Sequence, residues 1–201
     1  MASQRRIGSK DSKTRSRLID AATEIIQTEG QSAVTVRRLA EYTGLSRQIV
    51  HYYFLSMEEL YLAVVRRTTS RFLKRQAKAL ETANPLRAIW DLVSSPDAVR
   101  LETEFLALAN HFESIRDLIS ERMAKSREMQ AAFVHRLADK FGDDLGVHPE
   151  AIPVILIGIA RAIFVEENFG LKQGHSEALA HIEQQLGRFD ADAGADDVHL
   201  R

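Results

Sequence analysis

Arg47, Gln48 and His51 are the residues of this 201-residue chain whose types and spacing could do chemistry. They stand at i, i+1 and i+4, so a helix puts all three on one face. Together they offer a guanidinium, a carboxamide and an imidazole. Arg suits guanine O6/N7 and Gln suits adenine N6/N7, so such a face can read base edges. Val50, Tyr53 and Phe54 alternate with them and point the other way, inward. Catalytic chemistry has no comparable set. The seven His are scattered, with no H-E-x-x-H, and there is no G-x-S-x-G, phosphate-cradling glycine loop or dinucleotide fingerprint. The chain has no cysteine, which removes thiol nucleophiles, disulfides and thiolate zinc sites. No enzyme, metal or cofactor is expected.

Two short helices must position that face. Thr35 is an N-cap, its hydroxyl able to accept an orphan backbone N–H, and Val36, Leu39 and Ala40 then give one apolar side. Thr43-Gly44-Leu45 is the break, with Gly44 where a helix end wants positive φ. Ser46 caps the second helix. A capped helix, a glycine turn and a second capped helix with long polar side chains outward is the helix-turn-helix arrangement. Before it, Leu18, Ala21, Ala22, Ile25 and Ile26 mark an amphipathic helix from about Lys13 to Glu29, stopped by Gly30, on which the pair can rest. Residues 1–12 carry Arg5, Arg6 and Lys10 with little to bury, and are expected to be a disordered arm. That arm either follows phosphates or a minor groove, or has no role.

Charge divides in the same place. Residues 1–75 hold 14 Lys and Arg against 7 Asp and Glu, whereas residues 76–201 hold 13 against 21. A basic module joined to an acidic one is the implication, and the basic part is where a phosphate backbone would dock. No secretory leader is expected, and the most apolar run, Val154 to Val165, is too short for a bilayer and contains Arg161. A soluble protein, in keeping with a reducing cytoplasm, is expected.

The rest of the chain reads as helices, about nine in all. Ser56 and Glu59 form a capping box opening a long helix to about Leu80, with a basic middle at Arg66, Arg67, Arg71, Lys74 and Arg75. Pro85 and Pro96 each sit where a helix begins. A longer pattern runs from Ser114 to about Phe141, and Pro149 and Pro153 mark the next start. The helix that follows, to about Asn168, is apolar nearly all round and must be buried all round. Leu179, Ile182, Leu186 and Phe189 then step by three, four and three, the narrow stripe of a helix–helix seam. Two helices from each of two chains would make a four-helix homodimer interface, unless the stripe packs internally. Trp90, Phe105, His111, Phe112, Met123, Phe133 and Phe164 fall at interior-type positions, either as plain core or as the wall of an apolar pocket with His111 and Asn110 as polar anchors. A lipophilic small molecule would suit such a wall.

The stretch from Leu18 to Leu60 resembles the TetR family of bacterial transcriptional repressors. The resemblance rests on Ala21-Ala22, T-V-R-R-L-A, G-L-S, Tyr53-Phe54 and S-M-E-E-L, in order and spacing. It implies an all-α homodimer with an N-terminal arm and three-helix DNA-binding domain (1–55) and a C-terminal helical ligand-binding and dimerisation domain (56–189); the acidic, small residues from Asp190 on predict a disordered tail (190–201). It also implies that Thr35 and Tyr53 touch phosphates, and that Arg37, Arg47 and Gln48 reach base edges or nearby phosphates of a palindromic operator. Ser46 caps the reading helix. The chain departs from the family at His51, usually Tyr, and at Met57, usually Lys. His51 can still donate to a phosphate or base, but Met57 cannot neutralise charge. The expected function is a ligand-responsive repressor. A helical interaction protein that does not bind DNA is the alternative, though it leaves the basic first third unexplained.

Overall fold

Ser12 accepts a hydrogen bond from the backbone N–H of Arg15 and so opens the first helix, α1 (Lys13–Glu29). Gly30, at φ 87°, ends it and returns its N–H to the Ile26 carbonyl. In the computed structural model of the protein, which describes residues 12–142 and 146–195, a 3₁₀ turn (Gln31–Ala33) then leads to α2 (Val36–Thr43), α3 (Arg47–Tyr53) and α4 (Met57–Leu80). The chain continues with α5 (Pro85–Ser94), α6 (Pro96–Ala109), α7 (Glu113–Phe141), a 3₁₀ turn (Pro149–Ala151), α8 (Ile152–Asn168) and α9 (His175–Ala195). Among the described residues there are nine α-helices and no strand, the all-α architecture read from the sequence.

The chain packs as two compact units. The first takes residues up to Arg71 together with Arg100–Arg122; the second takes Phe72–Val99 and the chain from Met123 onward. In the first, Leu18, Ile25 and Ile26 of α1 close against Leu39, Val50, Leu60 and Val64, and against Phe105, Leu108, Ile115 and Ile119. Three short helices bury too little to be stable alone; here α4, α6 and α7 complete their core. Polar ties fix the join: Gln31 N–H donates to the Glu104 carboxylate at 2.7 Å, and the Tyr61 hydroxyl donates to the Gln31 carbonyl at 3.1 Å. Burial raises the Tyr61 phenol above its usual pKa, which keeps it a donor. This division follows core packing. A functional boundary near residue 55 is a different kind of division.

The second unit is built on Leu86, Trp90, Val99, Leu137, Ile152, Leu156, Ala160, Ile182 and Leu186. A fully buried Gln76 donates to the Ser126 carbonyl at 2.9 Å and accepts from the Ser126 hydroxyl at 2.7 Å, binding α4 to α7. Helix α8 is apolar all round yet only half covered. Ile152, Leu156 and Ala160 are buried, while Val154 is 56% exposed, with Ile155 and Val165 also outward. The α9 stripe is divided as well: Ile182 and Leu186 close the chain's own core, Phe189 is partly buried against it, and Leu179 is exposed. The stripe read as a seam, with internal packing as the alternative, is thus partly internal, because α9 covers α8 and α5 of its own chain. Helix α9 also runs to Ala195, past the Asp190 where a disordered tail was expected to begin; residues 196–201 lie outside the described residues. The basic arm read into residues 1–12 also lies outside them, except for Ser12.

Candidate nucleic-acid interface

Local chemistry sets the two short helices. Thr35 accepts from the Arg38 N–H at 3.0 Å and caps α2. Gly44 has φ 66°, and the following Leu45 N–H reaches the Ala40 carbonyl at 3.0 Å, the six-to-one bond of a left-handed helix end. A Cβ at Gly44 would meet nothing within 4 Å, so backbone conformation alone makes glycine the residue here. Ser46 then caps α3 through the Ile49 N–H at 3.4 Å. Beyond α3, Ser56 Oγ accepts from Glu59 N–H at 3.1 Å, and the Glu59 carboxylate accepts from Leu55 N–H at 2.9 Å. The capping box therefore closes one residue earlier than its ideal form, on Leu55 rather than on Ser56.

On α3 the two faces separate as the spacing requires. Val50 is 1% exposed and the flanking Phe54 3%; Arg47, Gln48 and His51 are all exposed, and Tyr53 is half-buried. The first turns of α1 hold the end of α2 and the end of α3. The Arg17 guanidinium donates to the Thr43 carbonyl at 2.5 Å, the Arg15 guanidinium lies 4.9 Å from the Phe54 ring centre, and Ser12 donates to the Tyr53 hydroxyl at 2.9 Å. The result is a rigid rod presenting long polar side chains, held by contacts that do not use those side chains.

Neighbouring arginines on α2 have different surroundings. Arg38 is committed to the protein: its guanidinium hydrogen-bonds both Glu29 carboxylate oxygens at 2.6–3.2 Å and lies 5.4 Å from the Tyr42 ring centre. That hydrogen bond, more than simple charge attraction, pulls the Glu29 carboxyl below its usual pKa and raises Arg38. Arg37 has only a loose 3.7 Å approach to Glu41, with its side chain 72% exposed. Thus Thr35, Arg37, Ser46, Arg47, Gln48 and His51 are exposed together on α2, α3 and their caps. Met57 is partly buried against the first core, in keeping with the absence of a cation there. Sequence reasoning missed Tyr52, 47% exposed on the same side of α3 and edge-on to Tyr53 at 5.1 Å between ring centres. Its place one turn beyond Gln48 was the available signal.

The residues read as a pocket wall are divided between the two units. Phe105 and Phe112 belong to the core of the first unit. Trp90, Phe133 and Phe164 cluster in the second. Met123 is 37% exposed, and Asn110 and His111 are exposed, against the interior placing expected for them. Asn110 and His111 occupy the turn that separates α6 from α7, where helical periodicity no longer fixes direction.

An all-α helix-turn-helix protein with a second helical unit is the class that this fold and face define. Residues 18–64 match the family model for bacterial regulatory proteins of the tetR family. Over those residues the chain is similar to the TetR family. It is similar to the HTH-type transcriptional regulator BetI of Rhizobium meliloti (strain 1021), 28% identical over 114 residues that take in 52% of this chain and 56% of that one. The chain thus spans about half the length of that curated relative. In fold it is similar to a transcriptional regulator from Saccharomonospora viridis solved in complex with choline (TM-score 0.70, 23% identity, 88% of this chain and 94% of that one). A TetR transcription regulator from Haloarcula marismortui is a further structural neighbour (TM-score 0.65, 20% identity, 90% and 96% covered).

Proposed function

We propose that the chain is a DNA-binding transcriptional repressor that docks α3 in the major groove of a palindromic operator. The observation that carries this is the exposed Arg47, Gln48 and His51 on a helix whose caps and inward contacts are fully engaged elsewhere. Arg47 and Gln48 meet base edges, while Thr35, Tyr53 and Arg37 meet phosphates or nearby bases, and Tyr52 joins the same face. The basic balance of residues 1–75 favours DNA over protein contacts alone. Such a protein works in the cytoplasm, where bacterial DNA lies. Among the described residues no helix is long and apolar enough to cross a membrane.

The functional division proposed is a DNA-reading part through residue 55 and a helical ligand-binding and dimerisation part from residue 56 to 189. Two copies pair through α8 and α9, whose outward Val154, Ile155, Val165 and Leu179 call for cover. Pairing sets two reading helices about 34–36 Å apart, one turn of DNA. A lipophilic effector lodging among Trp90, Phe133 and Phe164 shifts the population between DNA-binding and released forms, by no more than its difference in affinity for the two. The test is a mobility shift with duplex from the region upstream of the protein's own gene. Arg47→Ala is expected to weaken binding by about 1–3 kcal/mol with the melting temperature unchanged. Equal binding by wild type and variant removes Arg47 from the interface.

A further inference from the structure

The contact between Ser12 and Tyr53 joins the residue that opens α1 to the residue that ends α3, 41 positions apart. Ser12 Oγ accepts the Arg15 N–H at 3.3 Å and lies 2.9 Å from the Tyr53 hydroxyl, to which its one proton can be donated. A phenol has a single proton and two lone pairs. With one lone pair occupied by Ser12, the Tyr53 proton remains for a different acceptor, and an oxygen that accepts a hydrogen bond is a better donor. A phosphate oxygen only accepts. A phenol turned with lone pairs outward meets it unfavourably, whereas one with its proton outward meets it well, so the direction of this one hydrogen decides the contact.

We propose that Ser12 is a positioning residue for DNA binding, fixing the Tyr53 phenol so that its proton is presented to a phosphate oxygen. The proposal rests on the DNA-binding reading above. Ser12 acts at a distance from the nucleic acid, through Tyr53. Arg15 at Phe54, just after α3, and Arg17 at the Thr43 carbonyl, which ends α2, hold the same end of α1 against the helix pair, so Ser12 meets the phenol in a fixed register.

A double-mutant cycle tests this with the full-length protein and a 40-base-pair duplex from upstream of its own gene. Ser12→Ala and Tyr53→Phe are each expected to weaken binding about three- to tenfold, the net value of one hydrogen bond. The double variant is expected to bind no more weakly than Tyr53→Phe alone, and Ser12→Thr to bind as wild type. Because Ser12 also caps α1, the same cycle is run with Ser12→Gly, which lacks the hydroxyl yet costs a helix start little. Loss of the same fold in the Tyr53→Phe background would mean that Ser12 serves only as a cap, and would overturn the proposal; so would unchanged binding by Ser12→Gly. If Arg47→Ala and Tyr53→Phe both bind as wild type, the DNA-binding reading itself has failed.

Discussion

The outward faces of α3 and α8 are opposites. On α3 the exposed residues are Arg47, Gln48, His51 and Tyr52; on α8 they include Val154, Ile155 and Val165. A polar face is stable in water and needs a partner only for function. An apolar face is stable only when covered. On the proposed function, the difference separates a surface for transient contact with DNA from one for lasting contact with a second copy of the chain, and each half of it can be broken separately.

The largest effect is expected on α8. Val154→Asp with Val165→Asp would place uncompensated charge in the proposed interface, at a cost of about 3–5 kcal/mol, enough to raise the dimer dissociation constant more than about a hundredfold. Sedimentation at micromolar concentration should show monomers; a persistent dimer would place the interface elsewhere. On the polar side, Arg37→Ala should cost about 1–3 kcal/mol of DNA affinity and leave thermal stability alone. Arg38→Ala should instead lower the melting temperature and change affinity little, because its guanidinium is already engaged by Glu29 and Tyr42. Gly44→Ala sharpens the distinction between strain and contact. With no atom in the way, its expected cost of about 1–2 kcal/mol in stability comes from the left-handed backbone alone.

The smallest effect is that of pH on the Glu29–Arg38 pair. Glu29 titrates below its usual value of 4.5, chiefly through its hydrogen bond from Arg38. Its contribution is therefore complete above that value and disappears as pH falls through the lower folded one. The gap in melting temperature between wild type and Arg38→Ala should narrow below pH 4.5 and be constant above it. A gap that widens on acidification would contradict the sign.

What was legible in the sequence was what local rules decide. Ser12, Thr35, Ser46 and Ser56 cap helices through short-range hydrogen bonds, and Gly30, Gly44, Pro85 and Pro96 stand at their ends and starts. The boundaries of α1 to α5 were accordingly within reach, and so was the direction of the α3 side chains; the end of α6 and the first turn of α8 were not. Periodicity could not tell Arg37 from Arg38, because the difference is made by Glu29, nine positions away from Arg38. Nor could it sort the aromatics. Phe105 and Trp90 carry the same pattern yet lie in different cores, and Asn110 and His111 fall in a turn. How the α9 stripe divides was out of reach for the same reason, since only tertiary packing decides how much of an apolar stripe a chain uses on itself.

The proposed function requires that the exposed face of α2 and α3 meet the phosphates and bases of DNA. The most direct test is the affinity of the full-length protein for duplex from upstream of its own gene, followed over a range of salt concentration. The account predicts that log K falls linearly and steeply with log salt, and that Arg37→Ala reduces the slope by about one phosphate contact. A wild-type protein that ignores the duplex at low salt, or binds it with a flat salt dependence, would contradict the account.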